Sequence, residues 1–152
     1  MMVFSILLGV MLFVVGCSEK KIENLPTNIP ATPVTLLKEE SCGCCGKYAQ
    51  YLEEQGFGVA VSERTDMVPV KEQYNIPMEM RSCHTTLIEN YVVEGHVPVE
   101  AIAKLLTEKP NIRGIALPGM PSGSPGMSGE KDEVFLIYAL NNDGGTSDFM
   151  RI

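Results

Sequence analysis

The sequence predicts one mixed α/β domain with its elements in the order β-α-β-α-β-β-α, followed by an added C-terminal loop and strand. Short apolar runs of strand character alternate with segments in which apolar residues recur at helical spacing. The 152 residues, 45% of them hydrophobic, are enough for one domain with an ordinary core. The net charge of -7, without a basic cluster, argues against nucleic acid as a partner.

The N-terminal segment is predicted to be a targeting signal. Residues 1–16, "MMVFSILLGVMLFVVG", are mostly apolar, carry no charge and are fewer than the about 20 residues that span a membrane. Gly16 then precedes Cys17, a pattern typical of a bacterial lipoprotein signal, after whose cleavage Cys17 is lipidated. We therefore expect a lipid anchor at Cys17 and a place in the bacterial cell envelope, facing the periplasm or the exterior. The alternatives are an ordinary cysteine after a secretory signal and a short anchor.

The stretch 17–32 separates this signal from the domain. It is polar, contains prolines and shows no periodicity, which indicates a flexible tether. The folded domain is expected over 33–152.

The first half of the domain predicts two strand–helix units. "PVTLLK" is a short β run, and the helix after the cysteines has one apolar stripe, formed by Cys45, Tyr48, Ala49 and Leu52. Gly56 is a suitable stop for this helix. "FGVAVSE" is a second strand, and the helix after it has a face formed by Met67, Val70 and Tyr74.

The second half predicts a hairpin, a helix and a last strand. "CHTTLI" and "YVVEG" flank Glu89-Asn90, and Pro98 opens a helix with the inward residues Ile102, Leu105 and Leu106. A loop rich in glycine and proline covers 118–129, and "EVFLIYAL" reads apolar on both faces, as a buried strand does. The element order is that of the thioredoxin fold, in which the active cysteines lie between the first strand and first helix, as they do here.

Four cysteines within the predicted domain allow three hypotheses. Two structural disulfides, Cys42 with Cys45 and Cys44 with Cys83, are the first. The second is thiol–disulfide exchange by Cys42 and Cys45, a C-x-x-C pair at a helix N-terminus, although Cys44 would then be surplus. The third is a metal site that uses all four thiolates, which are soft ligands able to bridge metal ions. We prefer metal binding to a conventional enzyme.

Further donors indicate which metal is bound. Met120 and Met127 lie in the glycine- and proline-rich loop, where methionine either clasps the loop to the core or binds a soft ion. Thioethers suit Cu(I) and are of little use to zinc. His96 precedes a helix and is free to reach the site. His84 is expected to face away from Cys83 unless the backbone turns there, because neighbouring side chains on a strand alternate. Each histidine is either a ligand or a supporting or structural residue. Met78 and Met80 are weaker donor candidates and are expected to be core residues.

Three motifs together resemble a known family. "CGCCGKY", "SCHTTLIENYVVEGHVP" and "GIALPGMPSGSPGM" are similar to the predicted metal-binding family that includes the CopG-type periplasmic copper-resistance proteins. The resemblance runs from about Pro33 to Phe149. It departs in the helix after the cysteines, where family members often carry Trp and His and this chain has Tyr48 and Tyr51.

The resemblance implies a thioredoxin-like fold that binds a cluster of more than one copper ion. It also implies a role in copper resistance and interconversion of Cu(I) and Cu(II), and it identifies no delivery or efflux partner. The family's motifs fall on Cys42, Cys44, Cys45, Cys83, His96, Met120 and Met127 of this sequence.

Overall fold

A computed structural model describes residues 32–152. The predicted signal segment and almost all of the predicted tether, including Cys17, lie outside the described residues. Within them, no helix has the length and apolar character needed to cross a membrane.

The described residues form a mixed α/β domain with three α-helices and seven strands. The α-helices are α1 (Gly43–Glu54), α2 (Val68–Gln73) and α3 (Val99–Glu108), and a short 3-10 helix spans Met78–Met80. The strands are β1 (Pro33–Glu39), β2 (Gly58–Arg64), β3 (His84–Ile88), β4 (Tyr91–Glu94), β5 (Gly114–Ala116), β6 (Leu136–Leu140) and β7 (Thr146–Arg151).

All seven strands belong to one sheet, in the order β2-β1-β3-β4-β5-β6-β7. The pairs β1–β2 and β4–β5 are parallel, and the other four neighbouring pairs are antiparallel. The elements from β1 to α3 follow the order that the sequence predicts. Beyond them the sheet gains three strands, where the sequence predicts one.

The apolar stripe of α1 is confirmed, because its buried residues are the four that the helical spacing predicts: Cys45, Tyr48, Ala49 and Leu52. In α3, Ile102 and Leu105 are buried as predicted, and Leu106 packs partly buried against the same core. The second predicted helix is shorter than its pattern, since α2 ends at Gln73 and Tyr74 follows as its C-cap. Its buried face includes a lysine, Lys71.

The hairpin of β3 and β4 turns at Glu89-Asn90 as predicted, with Glu89 at a φ of +48°. However, β3 begins at His84, so that Ser82 and Cys83 precede the strand. Because Cys83 precedes the strand, the alternation of side chains within β3 does not set the directions of Cys83 and His84 relative to each other.

Candidate metal centre

Three cysteines lie at the start of α1. Cys42 is the N-cap residue, and Cys44 and Cys45 belong to the first turn. The structure joins Cys42 to Cys45 in a disulfide, with Cα atoms 5.4 Å apart, and leaves Cys44 as a free thiol. This is the pairing that the enzyme hypothesis expects and one of the two that the disulfide hypothesis expects; the other, Cys44 with Cys83, is not formed, and both thiols are free. A site with four thiolates therefore exists only after this bond is reduced.

The fourth cysteine of the domain comes from a distant part of the chain and reaches the same point. The Sγ atom of Cys44 is 3.6 Å from that of Cys42 and 3.9 Å from that of Cys83. The four sulfur atoms of Cys42, Cys44, Cys45 and Cys83 lie within 4.8 Å of one another. Burial raises the pKa of the Cys83 thiol to about 11, and the neighbouring Cys44 adds to the rise. Cys83 is thus a thiol at neutral pH until a metal displaces its proton.

His96 faces the sulfur of Cys83. Its Nε2 atom is 3.2 Å from the Cys83 Sγ atom, and its Nδ1 atom is 2.7 Å from the carbonyl oxygen of Pro125. Since a carbonyl only accepts, Nδ1 carries the proton of the neutral ring and Nε2 directs a lone pair at the sulfur. Burial lowers the pKa of His96 and keeps the ring neutral. This is the orientation that a metal-binding imidazole adopts.

His84 also touches this sulfur, and the expectation that it faces away is wrong. Its Nδ1 atom is 3.4 Å from the Cys83 Sγ atom. The reason is that alternation holds within a strand, whereas Cys83 lies before β3 begins. Burial, above all, lowers the pKa of His84 well below its ordinary value, so the ring is neutral.

Tyr48 forms the apolar base of the site. Its ring centroid lies 4.5 Å from that of His84 and 5.4 Å from that of His96, and its hydroxyl donates to the Val97 carbonyl at 2.8 Å. Burial raises the pKa of Tyr48 well above the usual tyrosine value. Tyr51, one turn on, accepts a hydrogen bond from the Val99 amide at 2.9 Å. Tyr48 and Tyr51 thus link α1 to the start of α3 by hydrogen bonds. These are the two residues at which the chain departs from the family pattern.

The glycine- and proline-rich loop covers the start of α1. Gly126 has a φ of +79°, and a Cβ atom there would lie 2.7 Å from the Tyr48 amide nitrogen and 3.1 Å from the Cys44 carbonyl oxygen. Only glycine permits so close an approach at this φ. Met127, which is half-buried, follows Gly126 in the chain, and its role as a donor stays a prediction.

The other three methionines considered as donors, Met120, Met78 and Met80, differ in their burial. Met120 is 41% exposed, and its role as a donor stays a prediction. Met78 is 73% exposed, so its assignment to the core is wrong, whereas Met80 is buried as expected.

A buried charge network lies beside Cys83 and was not predicted from the sequence. The Lys71 Nζ atom is 2.6 Å from Glu94 Oε1 and donates to Thr85 Oγ1 at 2.8 Å, and Thr85 donates to Glu94 Oε2 at 2.7 Å. The Ser82 amide donates to Glu94 Oε1 at 2.6 Å. Burial lowers the pKa of Lys71 and raises that of Glu94, and each charge opposes the shift of the other. The only sequence signal was a lysine among apolar residues of α2.

Fold and site together define a mixed α/β domain with a cysteine cluster that can bind metal. A family model described as "Protein of unknown function, DUF411" matches residues 80–127. Two solved structures, titled "Copper resistance protein copG- Form 2" and "Form 1", are each 36% identical and cover 81% of this chain. The matches span 99% and 98% of those chains, with TM-scores of 0.75 and 0.74. No curated protein matches.

The chain therefore belongs to the family of the CopG copper-resistance proteins, as its motifs predict.

Proposed function

We propose that the protein is a copper-binding protein of copper resistance that holds Cu(I) on Cys42, Cys44, Cys45 and Cys83. The observation that carries the proposal is the convergence of four sulfur atoms, from two distant parts of the chain, within 4.8 Å of one another. Thiolates prefer soft ions such as Cu(I), and their sulfur bridges metals, so the reduced site is expected to hold more than one ion. The similarity to two structures of copper resistance proteins supports copper as the metal.

One histidine and two methionines are proposed as further donors to this centre. His96 offers the Nε2 lone pair beside Cys83, and Met127 and Met120 are auxiliary thioether donors in the covering loop. An external dithiol reductant would reduce the Cys42–Cys45 disulfide with two electrons and two protons, supply the other two thiols and itself be oxidised to a disulfide. Conversely, oxidation of the Cys42 and Cys45 thiols to the disulfide would release two protons and deliver two electrons to two Cu(II) ions, giving two Cu(I) ions. This reaction is a route to the proposed conversion of Cu(II) into Cu(I).

We also propose a fold type and a cellular location for the protein. The order β2-β1-β3-β4, with β1 parallel to β2 and antiparallel to β3, supports a thioredoxin-like arrangement extended by β5, β6 and β7. We propose that residues 1–16 are a signal peptide and that a lipid on Cys17 and the tether to residue 32 hold the domain at a bacterial membrane. The domain would then face the periplasm or the exterior.

The test is an anaerobic Cu(I) titration of the full chain with Cys17→Ser, after reduction, against a chromophoric Cu(I) chelator. We expect more than one equivalent to be withdrawn from the chelator. Cys83→Ser should lower this capacity, whereas Ser128→Ala, in the covering loop, is a matched control that should not. Failure to compete for even one equivalent would end the proposal.

A second candidate is a thiol–disulfide oxidoreductase, and the disulfide between Cys42 and Cys45 favours it. This pair lies at the N-terminus of α1, where the helix dipole stabilises a thiolate. The variant with Cys44→Ser and Cys83→Ser separates the two functions. Full disulfide reductase activity with copper binding lost would favour the enzyme.

A further inference from the structure

Three consecutive residues at the end of β4, Glu94-Gly95-His96, all contact the Ser82-Cys83 segment. Glu94 accepts the Ser82 amide hydrogen bond, and His96 contacts the Cys83 sulfur. Between them, Gly95 has a φ of +78°, and a Cβ atom there would lie 2.5 Å from the Leu117 carbonyl oxygen on one side and 2.9 Å from the Ser82 Cβ atom on the other. This end of β4 is therefore shaped around the segment that carries Cys83.

The Ser82-Cys83 segment lies beyond the strand pairing. The register of β1 with β3 ends at the pair Lys38–His84, and that of β3 with β4 ends at Thr85–Glu94. A last backbone bond, from the Gly95 amide to the His84 carbonyl at 3.2 Å, closes the hairpin. The sheet thus fixes His84 but not the residue before it. A side chain, Glu94, takes the amide of Ser82 in place of a neighbouring strand.

A buried carboxylate can accept the Ser82 amide hydrogen bond in its charged form only if a nearby cation compensates its charge. Lys71 and Glu94 have side chains 4% and 0% exposed, and Thr85 bridges them by accepting from the ammonium and donating to the carboxylate. One carboxylate oxygen faces both Lys71 and the Ser82 amide, and the other faces Thr85. The network therefore leaves Glu94 oriented towards the segment before Cys83.

We propose that Glu94 is a positioning residue that holds the Cys83 thiol against Cys44, and that Lys71 permits this by compensating its charge. The consequence for copper rests on the function proposed above. The positioning itself does not, because it is a distance between two thiols in the metal-free protein.

The first test measures that distance by cross-linking. In the full chain with Cys17→Ser and the disulfide intact, Cys44 and Cys83 are the two free thiols, with sulfurs 3.9 Å apart. Dibromobimane, which fluoresces when it bridges two nearby thiols, should cross-link the parent protein in a long incubation at mildly alkaline pH, because alkylation needs the thiolate and the pKa of Cys83 is raised. Two double variants then remove the ion pair: Lys71→Met with Glu94→Gln, which keeps an acceptor for the Ser82 amide, and Lys71→Met with Glu94→Leu, which does not.

Both double variants are expected to fold, since each removes the two buried charges together: the Leu variant replaces the ion pair by apolar side chains, which is usually tolerated, and the Gln variant keeps an uncharged acceptor for the Ser82 amide. The Gln variant should retain the cross-link and the Leu variant should lose most of it, at similar melting temperatures. A merely structural ion pair would affect both variants equally, so equal cross-linking in the two would overturn the proposal. The exposed pair Lys104–Glu108, replaced by Met and Leu, is the matched control and should cross-link like the parent.

A second pair of variants tests the same bond if the Leu variant does not fold. Ser82→Pro removes the amide hydrogen that Glu94 accepts together with the hydroxyl that lies 3.9 Å from the Cys83 sulfur, and Ser82→Ala removes the hydroxyl but keeps the amide hydrogen. Arg81 already has φ -66° and ψ 137°, the conformation that a following proline requires. We expect the Pro variant to lose the cross-link and the Ala variant to keep it. Equal yields would contradict the positioning role.

Copper affinity gives the last readout. Loss of an outer partner of a metal ligand typically weakens metal binding about 10- to 100-fold, and we expect this for the Leu and Pro variants but not for the Gln and Ala variants. Unequal cross-linking in a protein that binds no Cu(I) would end the proposed function and leave the positioning role standing. Equal cross-linking with tight Cu(I) binding would end the positioning role and leave the proposed function standing.

Discussion

Replacing Lys71 alone should be among the most damaging single changes in the domain. Lys71→Met leaves Glu94, whose side chain is 0% exposed, as a buried carboxylate without its cation. Breaking one side of a buried ion pair costs about 3–5 kcal/mol. The Thr85 hydroxyl and the Ser82 amide continue to donate to the carboxylate, so we expect a loss near the lower end, about 3 kcal/mol.

The assay is urea unfolding at pH 7 with the disulfide intact. Lys104→Met, which breaks an exposed pair on α3, is the control and should cost less than about 1 kcal/mol. Burial already raises the pKa of Glu94, and removing Lys71 removes the charge that opposes this rise. A carboxyl whose folded pKa is raised stabilises the fold below its unfolded pKa and loses that contribution as pH rises through the folded pKa.

The deficit of Lys71→Met relative to the parent should therefore shrink as the pH is lowered from 7 and Glu94 binds a proton. A loss below about 1 kcal/mol at pH 7 would refute the claim that Glu94 depends on Lys71. A deficit that stays constant between neutral and acidic pH would show that the cost comes from packing rather than from the unpaired charge.

Three other predictions concern the site directly. Thiol titration of the unfolded full chain with Cys17→Ser should count two thiols before reduction and four after it, and four thiols without reductant would contradict the disulfide. Gly126→Ala should weaken Cu(I) binding by lifting the loop from α1, whereas Gly119→Ala, also at positive φ but with open space around it, should not, and equal affinities would count against the loop contact. His96→Phe, which keeps a ring but removes the lone pair, should weaken Cu(I) binding about 10- to 100-fold in competition titrations, and unchanged affinity would remove His96 from the site.

The sequence predicted those parts of the fold that have a clear local pattern. The helical stripe of α1 follows from a spacing of 3.6 residues, which records a single buried face. The hairpin follows from two strand-like runs around Glu89-Asn90, and its strands are buried on both faces. The two strands that the sequence did not predict, β5 and β7, have weak sequence patterns. β5 has only three residues, and β7 lies at the edge of the sheet with a mostly polar sequence, so neither has the apolar alternation that marks a strand.

The site was predictable in its donors and not in its contacts. Cys83 could be assigned to the cysteines of α1 because the start of β3 lies beside that helix in the predicted topology. The place of His84 depended on where β3 begins, to within one residue, and boundaries are the least certain part of a sequence pattern. Lys71 and Glu94 are 23 residues apart and belong to no motif, so only the folded chain shows that they are partners.

The candidate centre is built from the ends of elements rather than from their interiors. Cys42 caps α1, Cys83 precedes β3, His96 follows β4, and the Pro125 carbonyl belongs to a loop. None of these four residues lies within a strand, so the ladder bonds that stabilise the sheet do not fix their positions. Other bonds hold them instead, among them the Cys42–Cys45 disulfide, the hydrogen bond from the Cys42 amide to the Glu39 carbonyl and that between His96 Nδ1 and the Pro125 carbonyl. Cys83 and His96 belong neither to a strand nor to the hydrophobic core of β1, α1 and α3. Variants of these two donors are therefore expected to weaken Cu(I) binding before they destabilise the fold, unlike Lys71→Met, which leaves a buried charge unpaired.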